Sequence, residues 1–198
     1  MSVADDDEET DFDVEGFAEA MRLNLRGASD YWYWRNKPQM EVGAARDVLT
    51  CASVSFSNLK ARENDPPDCE AIIDGQLAGI EVTELVHERA LKASIEGNRK
   101  IFMWDRDDLL RRLQQIIDRK GASRGIGAGA YARYVLIIVT DEFALGHSNV
   151  AQFLTGAVFH SRHITDAFLG LSYDPSFEGG RCPVFKLHLS GVEDGLNP

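Results

Sequence analysis

The chain has 198 residues, 44% hydrophobic and 27% charged, which suits one globular domain with a substantial core. No apolar run approaches the ~20 residues a bilayer-spanning helix needs, and the acidic N-terminus lacks the basic and apolar regions of a signal peptide, so no membrane partner is expected. The net charge of −11 argues against a protein that simply coats nucleic acid.

The distribution of charge qualifies that exclusion. The first fifteen residues carry eight Asp/Glu and no Lys/Arg, which leaves the rest of the chain at −3. The segment from Arg89 to Arg124 holds ten of the 21 Lys/Arg, with acids in the minority, so a phosphate-facing surface there remains open. Residues 1–14 read as an acidic, disordered tail and residues 15–198 as a single α/β domain. Cys51, Cys69 and Cys182 are odd in number and lack CxxC spacing, which fits a reducing, cytoplasmic setting.

In chain order, residues 15–28 show apolar positions at helical spacing, and the aromatic run Tyr31-Trp32-Tyr33-Trp34 follows. A second helix is predicted over Met40 to Ala52, then a loop over Arg62 to Pro67. Cys69 to Ile73 and Leu77 to Leu85 read as strands around Asp74-Gly75, a favoured type I′ turn pair. A helical region follows over Val86 to Lys120, with a break near Gly97. The Gly-rich link Gly121 to Gly129 leads to the apolar strand Tyr134 to Thr140, which is expected at the centre of a sheet. A helix near Val150 to Arg162 and strands over Ala167 to Ser172 and Val184 to Leu189 complete the order α, β-hairpin, α, β, α, β, β. That order favours a mixed sheet flanked by helices.

The hairpin carries the chemistry. With Asp74-Gly75 as a two-residue loop, Ile73 faces Gln76, and the same register sets Asp68 directly across from Glu81 on one face. A four-residue loop on the same centre keeps that register, whereas a three-residue loop breaks it. Thr83 shares the face because strand side chains alternate. Opposed carboxylates repel, so they need a cation, a shared proton or solvent. A hard ion such as Mg²⁺ or Mn²⁺ suits clustered oxygen ligands, and it can acidify a coordinated water and neutralise charge on a phosphate. A solvated polar face at the strand ends is the other reading of the same spacing.

Pro67-Asp68, followed on the next strand by Glu81-Val82-Thr83, resembles the motif of the PD-(D/E)xK nuclease superfamily. The string DPPDCEAIIDGQLAGIEVTELV is similar to that of bacterial uncharacterised proteins assigned to it. The resemblance covers about twenty residues as motif and most of the chain as element order. It implies a restriction-endonuclease-like fold, a mixed central sheet flanked by helices with an αβββαβ core. It implies Mg²⁺- or Mn²⁺-dependent phosphodiester hydrolysis with Asp68 and Glu81 as metal ligands and the Val82 carbonyl as a third. Glu41, on the preceding helix, matches an acidic ligand of many members, or is an exposed helix acid; Glu70 is a substitute on the same hairpin face. Nucleic acid, DNA by family habit, is the implied partner, and a homodimer is an expectation of the same kind.

The chain departs from the family where Thr83 stands at the motif lysine, since Thr cannot supply the positive charge that stabilises the transition state. Some members place this lysine on the helix after the hairpin. Lys92, Lys100 and Lys120 are the candidates, and Lys92, nearest in sequence to the motif, is taken as the catalytic one. If none reaches in, an inactive fold serving as a binding or regulatory module follows. A structural interaction protein built on the aromatic run is a third reading.

Other features read as structural. Thr140-Asp141-Glu142 resembles a helix N-cap. His160 and His163 are read as surface histidines near a helix end. Gly125 to Gly129 precedes a strand instead of opening a helix, so it is a connector and not a dinucleotide fingerprint. Trp32 and Trp34, with Arg35 and Lys37 after them, either pack against the core or stack on bases. Arg111 and Arg112 lie on a helix whose core face is Leu109, Leu110, Leu113, Ile116 and Ile117.

Overall fold

The computed structural model describes residues 36–63, 66–96, 102–122, 131–142, 144–171 and 182–191. Its elements are α1 (Lys37–Cys51), β1 (Phe56–Ala61), β2 (Cys69–Ile73), β3 (Gln76–Glu84), α2 (Glu88–Ile95), α3 (Arg106–Gly121), β4 (Arg133–Thr140), α4 (His147–Leu154), β5 (Phe159–His160), β6 (Asp166–Leu171), β7 (Val184–Leu187) and β8 (Leu189–Ser190). Six strands form one mixed sheet in the order β1-β2-β3-β4-β6-β7, and β5 pairs with β8 apart from it. The β3-β4 and β4-β6 pairs are parallel, while the outer pairs are antiparallel.

Local chemistry explains the elements that bear on function. Asn36 caps α1 by accepting a hydrogen bond from the Gln39 amide at 3.4 Å, with Pro38 in the first turn, where a missing N–H costs nothing. Asp105 caps α3 through the Asp108 amide at 2.7 Å. Acids in the first turn of α3 and Arg119 and Lys120 in its last complement the helix dipole. The hairpin turn has φ of +50° at Asp74 and +76° at Gly75, as a type I′ turn requires. Its pairs, from Ile73↔Gln76 to Cys69↔Ile80, follow the register expected from the two-residue loop.

Strand alternation divides the core in two. Val135 and Ile137 of β4 join Ile80, Val82 and Phe168 beneath Ala45, Val48 and Leu49 of α1. Leu136 and Ile138 face the other way, against Leu109, Leu113, Ile116 and Ile117 of α3. β4 is therefore buried on both faces, as its apolar run predicts.

Several expectations are corrected. β1 is an edge strand that the chain-order reading lacks, although the αβββαβ core implied by the resemblance includes a third strand. Its Ser57, Asn58 and Lys60 give no apolar alternation, and its pairing is irregular between Ser57 and Lys60. The helical region over Val86 to Lys120 is divided as expected, α2 ending at Ile95 and α3 starting at Arg106. The helix expected to reach Arg162 ends at Leu154, and His160 lies in β5. Thr140-Asp141-Glu142 caps no helix, because α4 starts after Gly146. Instead the Thr140 hydroxyl donates to the Leu85 carbonyl at 3.0 Å and Glu142 accepts the His87 amide at 2.7 Å, tying down the chain after β3. Burial pushes the Glu142 carboxyl up, and that amide bond opposes the rise. The acidic head, the helix expected over residues 15–28, Tyr31 to Trp34, Lys100 and Gly125 to Gly129 lie outside the described residues. No helix among the described residues is long and apolar enough to cross a membrane.

Candidate functional site

β3 is longer than β2, and the difference creates the site. The ladder ends at Cys69↔Ile80, one position short of Asp68 and Glu81. Where β2 stops, the Val82 amide would face no strand. Asp68 takes over that role, its Oδ2 accepting the Val82 amide at 2.8 Å. Within a ladder the N–H and C=O of one residue project to the same side, so the Val82 carbonyl also points toward the end of β2.

Glu81 faces the α3 side of the sheet, opposite to its neighbours Ile80 and Val82. It is 1% exposed. Its Oε1 accepts from the Tyr134 hydroxyl at 3.0 Å, and Oε2 is ion-paired to Lys120. Tyr134 reaches it because Glu81 pairs with Leu136 across β3-β4, and Tyr134 lies two residues back on the same face. Burial pushes the Glu81 carboxyl up, Lys120 pulls it down, and the Asp68 charge pushes it up again.

On the α1 side, Glu41 occupies a buried position of the helix stripe, 4% exposed, so it is not an ordinary surface acid. Lys37, one turn earlier, lies 3.1 Å from Glu41 Oε1 and 3.9 Å from Asp68 Oδ1. The Cys69 thiol registers the whole cluster. Burial first, then the charges of Asp68, Glu41 and Glu81, push it up to about 12. Three buried carboxylates thus surround the end of the hairpin, Glu41 and Asp68 balanced by Lys37 and Glu81 by Lys120. Asp68, Glu81 and the Val82 carbonyl are hard oxygen donors of the kind divalent cations take. Among the described residues, however, no three His, Cys, Asp or Glu side chains converge closely enough to form a preassembled metal cage.

The other sequence candidates lie apart. Lys92 is exposed on α2, and the lysines paired with these carboxylates among the described residues are Lys37 and Lys120. Thr83 is buried on the Glu81 face. Glu70 pairs with Lys60 at 2.9 Å, and the Lys60 hydrogen bond is the main reason its carboxyl is held down. Arg112 pairs with Glu88 at 2.6 Å and Arg111 with Asp108. His160 Nδ1 lies 3.0 Å from the Ser190 hydroxyl.

Tyr134 and the bridging role of Lys37 were missed by sequence reasoning. Lys120 was a candidate whose signal was overlooked: it continues the stripe Leu109, Leu113, Ile116 at helical spacing, and a lysine in line with core positions points inward. No protein-family model, no curated protein and no solved structure matches the chain.

Proposed function

We propose that the chain is a divalent-metal-dependent phosphodiesterase of the PD-(D/E)xK nuclease type, with the motif lysine displaced from position 83 to Lys120 of α3. The observation that carries this reading is the Lys120 ammonium on the carboxylate of Glu81, beside Asp68 at the end of the hairpin. The order α1-β1-β2-β3, helix, β4 supports a restriction-endonuclease-like αβββαβ core.

Asp68, Glu81 and the Val82 carbonyl would hold Mg²⁺ or Mn²⁺. Mg²⁺ commonly takes one or two carboxylates and completes its shell with water and substrate oxygens, so this donor set fits without a third acid. When bound, the ion polarises a phosphate oxygen and neutralises charge developing on it. The chain's residues do the positioning. The Tyr134 hydroxyl fixes one Glu81 oxygen, and the Val82 amide fixes one Asp68 oxygen. Lys120 supplies the positive charge that Thr83 lacks, swinging from Glu81 to a phosphate oxygen as negative charge builds. Lys37 and Glu41 set the charge on the α1 side. DNA is the substrate expected from the motif.

The test is cleavage of labelled single- and double-stranded DNA and RNA with Mg²⁺ or Mn²⁺, run with the parent, Glu81→Ala and Lys120→Met. Metal-dependent products from the parent, lost in both variants, are expected. A folded parent that yields no products with any substrate overturns the reading. That outcome would favour the second one, an inactive fold that binds nucleic acid or a regulatory partner, for which the observation is Thr83 buried at the motif lysine.

A further inference from the structure

The C-terminal half of α1 reaches β6 through Val48, and Val184 of β7 packs at the edge of the same apolar cluster. A Cβ placed on Gly170 of β6 would come within 2.8 Å of Val48 Cγ2 and 4.0 Å of Val184 Cγ2, so only a glycine lets helix and strands approach this closely. Cys51 follows Val48 by three residues, on the same helix face. Cys182 precedes Val184 by two. The ladder continues past the start of β7, where the Leu171 amide donates to the Pro183 carbonyl at 2.9 Å, so alternation keeps Cys182 on the face of Val184. Both thiols are half-buried, whereas Cys69 is fully buried. Cys51 and Val184 also line one cavity of about 550 Å³. The Cys182 thiol is pushed up by burial first, then by Cys51 and by Asp47 of the same helix, which independently sets it against α1.

We propose that Cys51 and Cys182 are a redox pair that closes to an intramolecular disulfide, stapling the C-terminus of α1 to the start of β7. The oxidant is a low-molecular-weight disulfide, RSSR. The Cys51 thiolate attacks one sulfur, breaking the S–S bond and releasing RS⁻. The Cys182 thiolate then attacks the Cys51 sulfur of the mixed disulfide and releases the second RS⁻. The two thiol protons end on the two released thiols, so the cysteine pair loses two electrons and RSSR gains them. The reaction accelerates with pH as Cys182 ionises.

The staple is distinguishable from chance pairing, because in an unfolded chain loop closure favours Cys51 with Cys69, far nearer in sequence, over Cys51 with Cys182. The experiment treats the full chain with oxidised glutathione, blocks remaining thiols, and maps linked peptides by mass spectrometry, with and without urea. The folded chain is expected to yield a Cys51–Cys182 link as its main product and to lose it in Cys51→Ser and in Cys182→Ser but not in Cys69→Ser. In urea the link shifts to Cys51–Cys69. Glutathione adducts without a link, links between chains, or the same products with and without urea would overturn the proposal.

Discussion

Glu81 is held between opposing influences, and its neighbours define how it responds to pH. Burial raises its carboxyl above the ordinary range, so the folded chain holds that proton more tightly than the unfolded chain does. The sign follows from linkage: stability falls as pH rises from the unfolded value through the folded one. Lys120, with its side chain 24% exposed, opposes that fall by compensating the ionised form. Lys120→Ala is therefore expected to cost about 2 kcal/mol at about pH 8, with the loss shrinking toward acid pH as Glu81 takes up its proton. Urea unfolding at both ends of that range measures this, and an equal loss at both would show that the pair is not what the variant removes. Asp68 separates hydrogen bond from charge. Asp68→Ala leaves the buried Val82 amide without its acceptor, a loss of about 1–3 kcal/mol, while Asp68→Asn keeps an acceptor oxygen. The asparagine variant is expected to unfold close to the parent and, on the proposed function, to lose metal-dependent cleavage by about 10²-fold or more, since the charge proposed to hold the ion is gone. Parent-like cleavage by Asp68→Asn would remove Asp68 from the metal site.

The strands are joined at their far end by a separate charge cluster. Arg133, the first residue of β4, pairs with Asp74 in the hairpin turn and lies 2.8 Å from Asp166 at the start of β6. Lys186 of β7 holds the other Asp166 oxygen at 3.0 Å. Burial pushes the Asp166 carboxyl up, but the hydrogen bonds from Lys186 and Arg133 outweigh it and hold the group below its ordinary value. A depressed carboxyl contributes stability above its unfolded value and loses it as pH falls. Arg133→Met should thus cost about 2 kcal/mol at neutral pH, with the gap to the parent narrowing below about pH 4. Denaturant titrations across that range would show it, and a gap independent of pH would mean that packing and not charge is lost. The same elements show what a sequence can disclose. The hairpin was legible because Asp-Gly dictates a turn whose register is arithmetic, and β4 because seven residues of β-branched and apolar character, Tyr134 to Thr140, admit few alternatives. β1 was not, since a polar edge strand needs no alternation and takes its shape from the neighbour it pairs with. Lys92 was preferred for its nearness along the chain, yet α3 brings Lys120 to Glu81 from 39 residues away. Nearness along the chain says little once a helix packs back over a sheet, and the inward-pointing stripe of α3 was the better guide. Tyr134 and Lys37 depend on pairing across strands and between layers, which no local pattern encodes.

The net charge of −11 weighs on the whole molecule in a way no single contact reveals. A phosphodiester substrate is a polyanion, and a protein of like sign repels it unless positive charge is local and the ionic strength high enough to screen the rest. Lys120 and Lys37 supply local charge at the site, and the Lys/Arg-rich stretch from Arg89 to Arg124 includes the helix that carries Lys120. The eight acids of the first fifteen residues oppose both. A chain lacking residues 1–15 has a net charge of −3, and its long-range repulsion falls accordingly. It is expected to bind a labelled DNA duplex several-fold more tightly than the full chain at about 0.05 M salt, with the difference fading toward about 1 M, where the screening length is only ~3 Å. Fluorescence anisotropy over a salt series measures both chains directly. Equal affinity at low salt would mean that the acidic head lies too far from the binding surface to repel its ligand. A difference that persists at high salt would point instead to direct contact between head and surface, with the head competing for the groups that the phosphates would use.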